Sequence, residues 1–228
     1  MRKSIFEFLS KKLVIIAAIL ISSVLTLLAG GLGYFFGLGV AFIYLWSSHW
    51  KWSLFGIEKA GILKMTGLAL LYAAGIFLII DILITPWIEI AFGTVELGTF
   101  DFLRGNLLNY LIFILYMWVI AGFGEEFLYR GFFMKRLAVV LGDNNRGWIL
   151  SAILISTIFG LAHMYQGASG VISTGLAGLL LSLIFFRHRK ALPVAMLAHG
   201  FYDMIGLTLI YFSKETIITD FIRNLLNL

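Results

Sequence analysis

Apolar side chains run almost unbroken through the stretches 13–29, 32–46, 62–84, 107–135, 148–165, 171–186 and 192–212, with polar residues gathered between them. Continuous apolar runs approaching ~20 residues match the length of helix that crosses a bilayer. The period-two alternation of a transmembrane barrel is absent. The pattern predicts an all-α polytopic transmembrane helical bundle of about seven spans (six to eight). It forms a single integral membrane domain over 1–228, with the chemistry-bearing part at about 107–212.

Gly30-Gly31 divides the stretch 13–46 into either one long helix or two short ones, and charge decides between them. Lys and Arg collect on the cytoplasmic side of membrane proteins. With two spans and a cytoplasmic N-terminus, the inside receives Arg2, Lys3, Lys11, Lys12, Lys51, Lys59, Lys64, Lys135, Arg136, Arg146, Arg187, Arg189 and Lys190. The outside then holds only Arg104, Lys214 and Arg223. One long span would put Lys51, Lys59 and Lys64 outside and invert everything after them. Two spans and a cytoplasmic N-terminus are therefore expected. Proline disfavours helical geometry in the residue before it, so Thr85-Pro86 is expected to end the third span. The following segment, through Asn106, is expected outside, where Trp87, Phe92, Phe100 and Phe102 mixed with Glu89, Glu96 and Asp101 suit an interfacial or re-entrant segment, as an ordinary loop with an aromatic belt or as a gate. Gly33 and Gly37, one turn apart, allow close helix packing.

Composition sharpens this picture. Apolar residues make up 61% of the chain and charged residues 13%, with a mean hydropathy of +1.00. Soluble domains carry about twice that share of charge. The formal net charge of +5 is explained by topology, without nucleic acid or an acidic ligand. No cysteine is present, which excludes a disulfide framework, a thiolate metal site and a cysteine nucleophile. The basic N-terminus precedes an apolar run as in a signal peptide. No small-residue cleavage site followed by a polar domain appears, so an uncleaved first span is expected.

Against this background, a few ionisable groups stand inside apolar helices, where they are costly. Glu125 and Glu126 lie mid-run, with Arg130 one turn further on. His163, His199 and Asp203 each sit in another apolar run. Gly142-Asp-Asn-Asn-Arg-Gly147 reads as a turn, and Glu125 and His163 are equally far from its Asn144. In an antiparallel pair of helices they stand at one depth, with Glu125 about 15 Å beyond Lys135, near the bilayer midplane. Pro193 suits the first turn of the last long helix. His199 and Asp203 share a face of it roughly 10 and 16 Å further up, close to the same depth. Glu126 and Arg130, four apart, can pair, which reduces the cost of burying both. Glu125 is left outside that pair and suits a general base or acid. His163 could share a water with it, while His199 and Asp203 could bind a carbonyl or its oxyanion.

These groups resemble the CPBP family of intramembrane endopeptidases, the CAAX-protease and bacteriocin-processing (ABI) type, related to type II CAAX prenyl endopeptidases. The resemblance rests on Glu125-Glu126-x-x-x-Arg130, Phe159-x-x-x-His163 and His199-x-x-x-Asp203 in that order, with the flanking Arg130-Gly-Phe-Phe, Phe159-Gly-Leu-Ala-His-Met-Tyr-Gln-Gly and Leu197-Ala-His-Gly. It covers about Ala121 to Leu207. It implies an enzyme, a hydrolase cleaving a membrane-associated, lipidated or hydrophobic peptide or protein. Glu125 and His163 would activate water, and Glu126 and Arg130 would hold the site together. His199 and Asp203 would stabilise the oxyanion, with Phe159 as support beneath His163. The family often has asparagine where this chain has Asp203. An ionised aspartate only accepts hydrogen bonds, so Asp203 is protonated, orients His199 or ligates a metal. The family is widely labelled metal-dependent, and two histidines with carboxylates could hold zinc through His163, His199, Glu125 and Asp203. His-Glu-x-x-His is absent, and a Glu/His-activated water needs no metal, so no cofactor is expected.

Simpler roles fit other polar residues. His188 and His49 are expected to be solvated and Asp81 interfacial. Tyr165 and Gln166 suit either substrate contact or loop solvation. The expected setting is a prokaryotic cytoplasmic membrane, with the lipid bilayer and a peptide or membrane-protein substrate as partners and no nucleic acid. A non-catalytic membrane immunity or interaction protein keeping this fold is the rival reading. A transporter is a second, but its polar groups would be strung across the bilayer instead of collected in one layer.

Overall fold

The computed structural model describes residues 1–58, 61–188 and 191–227. Among these residues the apolar runs become helices: α1 (Arg2–Leu9), α2 (Lys12–Ala29), α3 (Gly31–Ser47), α4 (Ile62–Phe92), α5 (Leu107–Val140), α6 (Asn145–Leu161), α7 (Gly167–Arg187), α8 (Leu192–Tyr211) and α9 (Ile217–Leu226). Five of them, α2, α4, α5, α7 and α8, are long and apolar enough to cross a membrane, and α3 and α6 are shorter apolar helices. The protein is an all-α polytopic membrane bundle. No strand forms among the described residues, only a bridge between Ile57 and Ala191.

Gly30 separates α2 from α3, as expected, with φ +56°, a conformation glycine adopts without penalty. The two helices then return at close range. Ser22 Oγ donates to the Gly33 carbonyl at 2.8 Å. A Cβ on Gly33 would overlap the backbone of Ser22 and Thr26, and one on Gly37 would lie 2.6 Å from Ser22 Oγ. Amphipathic α1 lies against α3, with Arg2 4.5 Å from the centroid of the Trp46 ring and Phe6 5.0 Å from that of Tyr44. The main apolar core gathers around α5, where Phe127, Phe132 and Phe133 meet Phe55, Tyr44, Trp148 and Phe185. At the end of α5, Lys135 donates to the Ser53 carbonyl at 2.7 Å, and Arg136 to the Leu54 carbonyl and Tyr44 Oη, each at 3.0 Å. Those bonds bring the expected cytoplasmic ends of α3 and α5 together. Of the basic residues in the topology argument, Lys59, Arg189 and Lys190 lie outside the described residues.

The third span departs from expectation. Thr85 stays helical (φ −54°, ψ −40°), and the helix runs through Pro86 to Phe92. The reason lies in the turns before it. Leu78–Ile84 is wound as a π-helix, and Thr85 N–H bonds back to Ile80 O. Pro86 thus enters in the first turn of a new α-helical register, where its missing N–H costs nothing. The extension is anchored through Glu89, which is buried although charged. Its carboxylate accepts from Val95 N at 2.9 Å and from Thr219 Oγ1 on α9. Asp81, expected at the interface, instead has its Oδ2 buried without a hydrogen-bond partner. His188, expected to be solvated, is half-buried and 2.8 Å from Tyr72 Oη.

Close helix approach should dominate the stability of the α2–α3 hairpin. Gly33→Ala is expected to lower the unfolding free energy in detergent by about 1–3 kcal/mol, the cost of overpacking. Gly39→Ala, where a Cβ would meet nothing within 4 Å, should leave it unchanged or raise it slightly.

Candidate active site

The stretch Trp118–Met134 of α5 is π-helical, a winding frequent at functional sites. Hydrogen bonds close over five residues here, so Arg130 stands one turn beyond both Glu125 and Glu126. It bonds only Glu126, with Nη1 donating to Oε1 at 2.7 Å, and both side chains are fully buried. Nη2 donates to the Gly178 carbonyl at 2.8 Å and Nε to Ser182 Oγ at 3.3 Å. The guanidinium carbon lies 4.6 Å from the centroid of the Phe159 ring. A buried charge persists when it is paired and hydrogen-bonded, and this one is held by three helices at once. Gly178 admits it: a Cβ there would lie 2.8 Å from the Phe159 ring and 3.1 Å from Nη2. Ser156 on α6 lies 3.1 Å from Ser182 on α7 and completes the cage.

Glu126 Oε1 also accepts from His199 Nδ1 at 2.9 Å. The expected Glu126–Arg130 pair therefore forms, and its second task is to hold a histidine. A carboxylate only accepts, so Nδ1 of His199 carries a proton. Nε2 then faces Asp203 Oδ2 at 3.4 Å. The two groups lie one turn apart on α8, in contact without a hydrogen bond between them.

His163 is placed differently from expectation. Helix α6 ends at Leu161, and His163 lies just past it (φ −102°, ψ 25°), half-buried in a short turn instead of within a span. Its Nδ1 lies 2.8 Å from the Phe159 carbonyl. That oxygen only accepts, so Nδ1 carries a proton, and in the neutral ring Nε2 is the nitrogen left with a lone pair. Phe159 packs beneath it at 4.8 Å between centroids, lies 6.0 Å from His199, and carries Arg130 on its face. One aromatic ring thus touches three polar members of the site.

Glu125 makes no hydrogen bond or ion pair among the described residues. It is half-buried and lies within electrostatic range of His199, Asp203 and Tyr165. No direct contact joins it to His163. Beside it, Tyr34 crosses from α3 and donates to the Ile120 carbonyl at 2.9 Å. A Cβ on Gly124 would overlap that hydroxyl, so a residue without a side chain is needed next to Glu125. The turn after His163 is held as well. Its Gln166 carbonyl accepts from Glu96 N at 3.0 Å, and its Oε1 from Thr174 Oγ1 at 2.9 Å. Gln166 is therefore a tether, while Tyr165 stands half-exposed with its ring 5.7 Å from His163.

The structure brings Glu126, Arg130, Phe159, His199 and Asp203 into direct contact, with His163 on Phe159 and Glu125 facing the group. Sequence reasoning missed Gly178, Ser182, Ser156 and Tyr34. Ser156 and Ser182 left a trace, as single hydroxyls inside apolar helices. Nδ1 of His163 and of His199 is engaged in a hydrogen bond, which leaves each Nε2 turned toward the site, and among the described residues no three His, Asp or Glu side chains are grouped to hold a metal ion.

Residues 107–205 match the family described as type II CAAX prenyl endopeptidase Rce1-like. The matched span contains Glu125, Glu126, Arg130, Phe159, His163, His199 and Asp203. Comparison with curated proteins gave no match, and comparison with solved structures gave none.

Removing one partner of the buried pair should be far worse than removing both. Arg130→Met is expected to cost about 3–5 kcal/mol of stability by leaving Glu126 uncompensated. Adding Glu126→Gln to it should recover part of that loss. Denaturant unfolding of the four proteins in one detergent measures the coupling.

Proposed function

We propose, from the match of residues 107–205 to the family described as type II CAAX prenyl endopeptidase Rce1-like, that this membrane protein is an intramembrane endopeptidase that hydrolyses a peptide bond with a water activated by Glu125 and His163. The observation that carries the reading is the division between two adjacent carboxylates. Glu126 is bound to Arg130 and His199, whereas Glu125 keeps its oxygens unbonded among the described residues.

In the proposed reaction, a water lies between Glu125 and the unprotonated Nε2 of His163. Glu125 takes a proton as the water oxygen adds to the scissile carbonyl carbon. The carbonyl oxygen becomes an oxyanion and accepts a hydrogen bond from the His199–Asp203 pair, whose proton stays where it was. Collapse of the tetrahedral intermediate breaks the C–N bond, and the proton on Glu125 passes to the departing amine. Glu126 and Arg130 act through His199, fixing its tautomer and orientation. No metal takes part in these steps. The substrate is a membrane-associated peptide or protein segment, lipidated or hydrophobic. A prenylated CAAX end, a peptide pheromone, a bacteriocin precursor and a membrane protein all meet that description. The setting we propose is a prokaryotic cytoplasmic membrane, with no nucleic-acid partner.

Glu125→Gln and His163→Ala should each lower cleavage by about 10²-fold or more, with membrane insertion and unfolding temperature near those of the wild type. The measurement is cleavage by the reconstituted protein, with peptide-terminus mass spectrometry of wild-type and variant cells to find the substrate. Chelators should leave the rate unchanged. If Glu125→Gln supports the same cleavage as the wild type, the proposed mechanism is wrong.

A further inference from the structure

Away from the site, the first part of α4, Ile62–Phe77, touches α7 only lightly, while α8 packs behind both. Between them lies an apolar groove of about 300 Å³ that opens toward the lipid. Its walls are Leu71 and Ile79 from α4 and Leu180 and Leu183 from α7, over a floor of the buried side chains Ile76 and Ile184. Gly75 forms a notch in one wall, where an added Cβ would meet nothing within 4 Å. At ~1.5 Å per residue, the groove runs about 12 Å along α4 from Leu71 to Ile79.

One mouth of the groove is basic. Arg187, the last residue of α7, lines it. Lys64 lies about 10 Å nearer the helix start than Leu71. Arg187 and Lys64 are both exposed and have no carboxylate partner among the described residues. His188, next in the chain after Arg187, lies 2.8 Å from Tyr72 Oη. Burial and the neighbouring charges of Arg187 and Lys64 push its imidazole toward the neutral form. The positive charge at this end is thus carried by Arg187 on the groove and by Lys64 further toward the start of α4, while the apolar trough leads inward from them.

We propose that this groove binds an anionic glycerophospholipid of the surrounding bilayer, one acyl chain lying past Gly75 and the phosphate between Arg187 and Lys64. A plain apolar groove would accept any lipid tail. The basic mouth selects for charge, as basic pockets between transmembrane helices do for acidic headgroups. The bound lipid fills the gap between α4 and α7 and so braces the α4–α8 contact from its open side.

The test uses the full chain purified in detergent and transferred to nanodiscs of phosphatidylglycerol and phosphatidylcholine in equal parts. Native mass spectrometry after delipidation should show phosphatidylglycerol retained on the wild type in preference to phosphatidylcholine. Arg187→Gln and Lys64→Gln should each reduce that retention about fivefold. Gly75→Phe should abolish it with both charges intact, and Lys214→Gln, elsewhere on the chain, should change nothing. Equal retention of the two lipids, or full retention by Gly75→Phe, would overturn the proposal. Should Gly75→Phe fail to fold, phosphatidylglycerol bearing a photoreactive acyl chain should label the wild type within 71–79 and 180–187. Labelling elsewhere, or a second protein chain cross-linked there instead of lipid, would refute it equally.

Discussion

One carboxylate oxygen, Oε1 of Glu126, accepts from both Arg130 and His199, and the arrangement of the helices depends on that junction. Within a bilayer no water is available to satisfy an orphaned charge. An arginine and a glutamate inside apolar helices therefore need partners from the protein, which Arg130 and Oε1 of Glu126 find while Oε2 stays buried without a hydrogen bond. Arg130 draws Gly178 and Ser182 from α7 and the face of Phe159 from α6, while Glu126 draws His199 from α8. Four helices are thus brought to one point by hydrogen bonds instead of by the hydrophobic effect, which gives little preference between helix and lipid contact.

That junction requires unusually close backbones, and small residues provide them. Gly178 lets the guanidinium reach α7, and Gly160 meets Gly175 where α6 crosses α7; a Cβ on Gly160 would fall 2.6 Å from the Val171 carbonyl. On the far side of α5, Gly124 receives Tyr34 and Gly200 receives the ring of Trp118. These glycines let the helices around the polar cluster approach closely enough for short polar bonds. Glu89 repeats the device at the other end of α4, where one buried carboxylate fastens both the segment near Val95 and the amphipathic α9.

The helices and the identity of the polar cluster were legible in the sequence because ionisable groups in apolar runs are so costly that each one signals a partner. Depth along a helix could also be counted, which put Glu125, His163, His199 and Asp203 in one layer. Direction around the helix axis could not be counted, because α5 changes to π winding at Trp118 without a sequence signal. The His199–Glu126 bond depends on that direction and went unseen. The same change of winding before Pro86 carried α4 beyond its expected end. The partners of Arg130 were hidden for another reason. A backbone carbonyl exposed by a glycine and a serine hydroxyl are chemically ordinary, and only their place opposite a guanidinium gives them a role.

The position of His163 bears on how hydrolysis could occur at such a depth. A water-consuming reaction inside a bilayer needs rigid catalytic groups and an opening for water, which are opposing demands on a packed bundle. In the proposed mechanism they are met on different sides. The Glu126–Arg130 side is sealed, with every nearby helix bonded to it. On the other side α6 stops at Leu161, so His163 is carried by a turn that leads to the half-exposed Tyr165. The turn is kept from wandering by the Phe159 carbonyl on one end and by the Gln166–Glu96 bond on the other. In the proposed mechanism the oxyanion donors belong to the sealed side, where low polarity strengthens them. The base and its histidine belong to the open side, where a water can be replaced after each turnover.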